Sequence, residues 1–265
     1  VAQQQRYFIE LAYDGTNYHG WQIQPNAITV QEMLNKALST LLRQPIETLG
    51  CGRTDTGVHA KQFYAHVDVA PQPPKGGAED AGQNSPFRGL GGISLAGLNA
   101  LLPYDIAVSR IIPVDAEAHA RFDATLRSYE YHVHFQKDPF KTKYSWLLRD
   151  VPDIDLMNEG AEILMEYTDF SCFSKSNTQV FTNNCKISHA EWVENADDSL
   201  TFHISADRFL RNMVRAIVGT MMMIGKKEIE PKAIRQIIES KNRSKAGTSV
   251  PACGLYLTEV VYPYL

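Results

Sequence analysis

The chain has 265 residues, 44% of them hydrophobic, and a net charge of −4 from 26 Lys and Arg against 30 Asp and Glu. That length can bury one large core or two modest ones, and no run of eighteen apolar residues is present, which excludes a membrane-spanning helix. The four cysteines, Cys51, Cys172, Cys185 and Cys253, form no C-x-x-C pair and no zinc-like spacing with histidine, so they predict free thiols in a reducing cytoplasm.

Residues 1–6 lack the apolar stretch of a secretory signal. Residues 6–13 then mix aromatic and aliphatic side chains at strand density, and a turn follows at 14–17. Thr29-x-x-Glu32 is a capping box, and Val30, Met33, Leu34, Ala37, Leu38 and Leu41 fall on one face of the helix it opens. A short strand is expected over 46–51. Residues 61–69 alternate Phe63, Ala65, Val67 and Val69 against Tyr64, His66 and Asp68, the pattern of a half-buried strand. Residues 71–92, rich in Pro, Gly, Asn and Asp, read as an excursion rather than a domain linker. A helix over 94–102 stops at Pro103, and 106–114 returns as a strand.

The second half repeats this order. Residues 128–135 form a strand with Tyr129, Tyr131, Val133 and Phe135 on one side. A helix is expected over 155–167, a hairpin over 186–193 and 200–205, a long helix over 208–225, another helix from Pro231, and a final strand over 255–262. Two tandem β-α-β-β-α-β units follow, which makes the fold class α+β: two ferredoxin-like units with mainly antiparallel sheets. The expected division is 1–117 and 118–265.

Charge is unevenly spread. Residues 207–245 carry ten Lys or Arg against four Asp or Glu, a basic segment within an acidic chain, which suits either a solvated helix face or an anionic partner. Arg208, Arg211 and Arg215 stand at spacings of three and four, which would stack them on one helix face. A second basic lead-in, Arg121 and Arg127, precedes the strand of Tyr129 and Tyr131. The segment at 13–24 crowds two Tyr, a His and a Trp around two Gly, an arrangement open to base stacking or to forming a hydrophobic lid over the first helix.

The stretch GRTDTGVHA at 52–60 places Asp55 on a turn between strands, two residues beyond Arg53. Asp-Thr-Gly at 55–57 also matches the active-site triplet of aspartic proteases. Those enzymes share a proton between two carboxylates, and no second such triplet is present. A guanidinium nearby would keep Asp55 ionised, the state of a nucleophile; a turn clasp between Asp55 and Arg53 is the plainer alternative.

Five blocks together resemble the tRNA pseudouridine synthase A family: YDGTNYHGWQIQ at 13–24, GRTDTGVHA at 52–60, HARFDATLRSYEY at 119–131, RFLRNMVRAIVG at 208–219 and GLYL at 254–257. They stand in the family's order and span nearly the whole chain. The resemblance implies an isomerase that uses no cofactor and no metal and converts uridine to pseudouridine in the anticodon stem-loop of tRNA, at positions 38–40. It also implies a basic cleft between the two units and a homodimer that handles one tRNA with both subunits. Asp55 matches the family's nucleophile. Arg53 and Arg215 match basic residues around it, with Arg215 the expected carboxylate partner. Tyr129 matches the residue that stacks on the target base and assists removal of the C5 proton, and Leu255 an apolar residue beneath the pocket. His119, Arg121 and Phe122 fall in a segment matched to RNA contact, and Arg208 and Arg211 are expected to bind the substrate. A non-catalytic RNA-binding protein on the same scaffold is the alternative reading.

Overall fold

The structure is a computed structural model that describes residues 4–69, 93–174 and 182–265; the excursion expected over 71–92 lies outside them. Its chain order is β1 (Gln5–Tyr13), α1 (Val30–Leu42), β2 (Leu49–Gly50), β3 (His59–Val69), α2 (Leu95–Leu101), β4 (Ile106–Val114), β5 (Leu126–His134), β6 (Trp146–Leu147), α3 (Ile154–Leu164), β7 (Ile187–Glu194), β8 (Leu200–Ala206), α4 (Met213–Gly225), α5 (Ala233–Glu239) and β9 (Leu255–Val261). The fold is α+β. One sheet runs β4-β1-β3-β9-β5-β8-β7, with β2 paired to β3 and β6 to β5.

Neighbouring strands are antiparallel except at two places, where β3 meets β9 and β6 meets β5. The β3–β9 contact is short, pairing His59 with Tyr256 and Ala60 with Leu257. It joins the strands of the first half of the chain to those of the second.

Helices α1, α2 and α3 start where a side chain satisfies a free N–H group. Thr29 Oγ1 accepts from Glu32 N, Ser94 Oγ from Gly97 N and Asp153 Oδ1 from Leu156 N. Helix α1 buries Val30, Leu34, Ala37, Leu38 and Leu42, with Met33 and Leu41 at the margin. These pack with Leu11, Trp21 and Phe63 in one apolar cluster. A second cluster gathers Tyr131, Val133, Trp192, Phe202, Ile204 and the buried side of α4. Tyr129 packs against both, so the seam between the two cores runs beside it.

Two expectations change. The strand expected over 46–51 is only Leu49–Gly50, because Ile46 N and Thr48 N donate to Ser39 and Asn35 side chains instead of to a strand. The helix expected from 208 begins at Met213. Asn212 stands at φ 66°, left-handed backbone that cannot continue a right-handed helix, and its Nδ2 donates to Ser249 Oγ. Residues 208–212 are therefore a loop running from β8 to α4, and Arg208 and Arg211 do not lie on the face of a helix.

Candidate active site

Asp55 sits in the eight-residue connection from β2 to β3, which is held in part by backbone contacts from the β1–α1 segment. Trp21 N donates to Thr54 O at 3.3 Å, and Gly57 N donates to Tyr18 O at 3.2 Å. The Tyr13 hydroxyl and Thr54 Oγ1 are hydrogen-bonded at 2.9 Å in a buried position. Val58 N donates back to Asp55 O at 3.1 Å, closing the turn, and Gly57 supplies the positive φ of 77° that the turn requires. Tyr13, Tyr18 and Trp21 are buried, and Trp21 stacks on Phe63 at 4.2 Å. Of the two uses open to the aromatic segment at 13–24, the structure shows the packing one for these three rings: they shape the Asp55 loop from below.

His59 fastens the end of the same loop. It is buried; its Nδ1 accepts from Gly15 N at 3.1 Å and its Nε2 lies 3.1 Å from Lys143 O. Burial pushes its pKa down, against the pull of nearby Asp14. Asp14 Oδ1 lies 3.0 Å from the same Nδ1, so a proton on Nε2 serves Gly15 N and Lys143 O while a proton on Nδ1 would serve Asp14.

The carboxylate of Asp55 faces two guanidinium groups. Arg215 stands 3.6 Å from Oδ2 and Arg211 3.7 Å from Oδ1. Arg215 belongs to the first turn of α4 and is steered by its own Nε, which donates to Val250 O at 2.7 Å. Arg211, which the sequence predicts to bind the substrate, meets Asp55 from the loop that ends at Asn212. Arg53 is exposed and is not among the ion pairs of Asp55, so the clasp of Asp55 by Arg53 does not occur among the described residues. The partners come from α4 and its leading loop.

Tyr129 lies half-buried in β5 next to a bulge in the β5–β9 register. Phe209 stands edge-on to its ring at 5.1 Å. Burial raises the Tyr129 phenol above its usual pKa, and the charge of Asp55 adds to that shift, so the ring is uncharged at neutral pH. Leu255, buried at the start of β9, pairs with Tyr131 and lies in the same apolar cluster as Val58. Phe209 was not singled out from the sequence, although it lies inside the basic run at 208–215; a lone aromatic among arginines carries no periodic signal.

The segment ahead of β5 forms a compact loop. His119 Nδ1 accepts from Arg121 N and Phe122 N at 3.1 and 3.2 Å, and Asp123 Oδ2 accepts from His119 N at 2.7 Å. The Phe122 ring is 73% exposed, stacks beside His119 at 4.3 Å and lies 5.6 Å from the Arg121 guanidinium. An exposed aromatic backed by a cation is a surface that attracts nucleobases. Burial, together with the fields of Arg53, Arg208 and Arg127, lowers the Arg121 pKa. Four guanidiniums, three from loops and that of Arg127 from β5, thus converge, and Asp55 lies in the same loop as Arg53. The local charge is strongly positive although the chain as a whole is acidic.

A family model described as tRNA pseudouridine synthase matches residues 167–263. The chain is 51% identical over 262 residues to a tRNA pseudouridine synthase A of Bacteroides thetaiotaomicron, spanning 98% of this chain and 91% of that relative. A protein of the same name from Bacteroides fragilis is 49% identical over 98% of this chain and 97% of its own length. One from Thermoanaerobacter pseudethanolicus is 35% identical over 96% of this chain and 98% of its own. With identity at this level along nearly its whole length, the chain belongs to the tRNA pseudouridine synthase A family.

Proposed function

We propose that this tRNA uridine isomerase acts on the anticodon stem-loop, at positions 38–40, with Asp55 as its nucleophile. The observation that carries the reading is the Asp55 carboxylate held between Arg211 and Arg215, next to an uncharged Tyr129 ring. Two cations flank the carboxylate where it would meet a polyanion. The target base leaves the stem at a cost of a few kcal/mol, recovered through stacking and polar contacts, with Tyr129 as the stacking ring and Leu255 as the apolar floor. Arg53, His119, Arg121, Phe122 and Arg208 hold the flanking RNA.

Asp55 attacks either C1′ of the ribose or C6 of the ring. The bond from N1 to C1′ breaks, the uracil turns, C5 bonds to C1′, and the bond made by Asp55 breaks to return its carboxylate. Loss of the C5 proton to solvent and uptake of one at N1 leave an isomer of the starting nucleoside, so the reaction balances without an oxidant, reductant or second substrate. The reading includes a division of the chain at 117/118, a homodimer and a cytoplasmic location.

The test is tritium release from tRNA labelled at uridine C5. Wild-type protein releases tritium in proportion to pseudouridine formed, and D55N binds the same tRNA and releases none. If D55N retains the wild-type rate, Asp55 is not the nucleophile. If both bind tRNA and neither releases tritium, the chain is an RNA-binding protein on this scaffold.

A further inference from the structure

Arg127 is the second residue of β5, paired with Ala206 of β8 and Val260 of β9. Its guanidinium makes no ion pair among the described residues. Instead it donates to four backbone carbonyls. Nη1 reaches Ala124 O at 3.1 Å and Asp207 O at 2.8 Å, and Nη2 reaches Cys51 O at 3.0 Å and Arg121 O at 2.7 Å.

Those four carbonyls belong to the three loops that make the site. Cys51 opens the connection that carries Asp55. Arg121 and Ala124 belong to the loop of His119 and Phe122. Asp207 opens the loop of Arg208 and Arg211. No other described side chain makes hydrogen bonds to all three. From this geometry we infer that Arg127 is a positioning residue for the reaction: it sets the Asp55 loop, the RNA-facing loop and the arginine loop in register with one another. The inference rests on the reading of Asp55 as nucleophile.

The residue type fits the task. A planar guanidinium spreads its donors in a fixed fork, so one side chain can address carbonyls arriving from several directions, whereas a lysine ammonium concentrates its donors at one point. Because carbonyls are neutral acceptors, the positive charge of Arg127 is not cancelled by a carboxylate. It contributes to the field that lowers the pKa of Arg121, and adds to the attraction for phosphate.

The experiment compares wild type, R127K and R127A, with D55N alongside. It reads single-turnover tritium release at saturating tRNA, the tRNA dissociation constant and the melting temperature. R127K keeps the charge and loses the fork. Its expected behaviour is a folded protein whose tRNA affinity is within about 5-fold of wild type and whose single-turnover rate is lower by about 10- to 100-fold, the scale of loss for a catalytic group displaced by about 1 Å. Millimolar guanidinium, too dilute to unfold the protein, should restore part of the rate in R127A and none in D55N. A wild-type rate in R127K overturns the inference, as does a rate loss that matches the fraction of protein unfolded at the assay temperature. If R127A does not fold, R127K carries the test alone. Tritium release by D55N removes the reading of Asp55 on which the inference stands, and is seen without any Arg127 variant.

Discussion

Arg215 and Asp55, which are 160 positions apart in sequence, meet at 3.6 Å across the seam between the two apolar cores. Arg215 is anchored on the far side by Val250 O, and Val250 N in turn donates to Arg215 O at 3.3 Å. The guanidinium is therefore placed by backbone, with one edge left to address the carboxylate. Tyr131 adds to the same support, since its hydroxyl donates to Pro251 O at 2.8 Å.

That anchoring makes Arg215→Lys a severe change. An ammonium cannot hold Val250 O and address Asp55 at once. Turnover is expected to fall about 10²-fold, the scale of removing one preorganised electrostatic contact, with tRNA affinity changed only a few-fold. Steady-state kinetics separates the two. A raised KM with unchanged kcat would show that Arg215 binds tRNA and leaves Asp55 alone.

Arg208 and Arg211 lie three residues apart on one loop yet should behave differently. Arg208→Gln is expected to weaken tRNA binding and make the dependence of log affinity on log salt shallower by about 0.7–0.9, one phosphate contact's share. Arg211→Gln should lower turnover on bound tRNA, because Arg211 faces Asp55. Filter binding across a salt series, paired with single-turnover rates, checks both. Identical profiles for the two variants would mean that the loop acts only as a phosphate ligand.

Much of this architecture was legible in the sequence, for identifiable reasons. Phe63, Ala65, Val67 and Val69 alternate along one buried face of β3, although Tyr64 and His66 on the face expected to be open are buried as well, and Thr29 with Glu32 marked the start of α1 to the residue. The order of elements in both halves followed from such periodic signals. What escaped depended on contacts distant in sequence. Asn212 ends the basic loop because it bonds Ser249, 37 residues away, and nothing local distinguishes it from a helical asparagine. The two-residue β6 has no period to read. Residue types around Asp55 left a turn clasp by Arg53 open, and only the family resemblance pointed to Arg215, which pairs with Asp55 from 160 positions away. The Arg127 fork was invisible for the same reason, since its acceptors are backbone carbonyls and a sequence does not say where a carbonyl points.

Gly20 offers a test of the aromatic segment as a support for Asp55. It stands at φ 84°, and a Cβ there would collide with the Thr54 carbonyl oxygen and come within 3.2 Å of the Asp55 carbonyl carbon. Gly20→Ala is expected to destabilise the fold by about 1–3 kcal/mol from the backbone conformation alone, lowering the melting temperature by about 2–10 °C for a chain of this size. Relief of the collision has to move residue 54 or 55, so turnover should fall by more than the loss of folded protein explains. Calorimetry and tritium release together check this. A variant that is merely less stable, with normal turnover at low temperature, would show that the Asp55 loop tolerates displacement.

Glu130, on β5 next to Tyr129, gives the fold an acid-sensitive element separate from Asp55. His132 Nε2 lies 3.1 Å from its carboxylate and Lys61 Nζ 2.6 Å, with His203 Nδ1 at 3.9 Å. The contact with His132 and then that with Lys61, opposed by burial, hold its pKa at about 2 rather than 4.5. Above pH 4.5 the group is ionised in folded and unfolded chains alike, and its contribution is complete. As the pH falls below that value the unfolded chain takes up the proton first, and the contribution shrinks until it is gone near pH 2. Because Lys61 is half-exposed, solvent screening reduces the gain to on the order of 1–2 kcal/mol. Glu130→Gln should therefore lower stability by that amount at pH 7 and flatten the decline between pH 4.5 and 2. Urea unfolding at a series of pH values measures both, and parallel curves for variant and wild type would show that the cluster contributes nothing to folding.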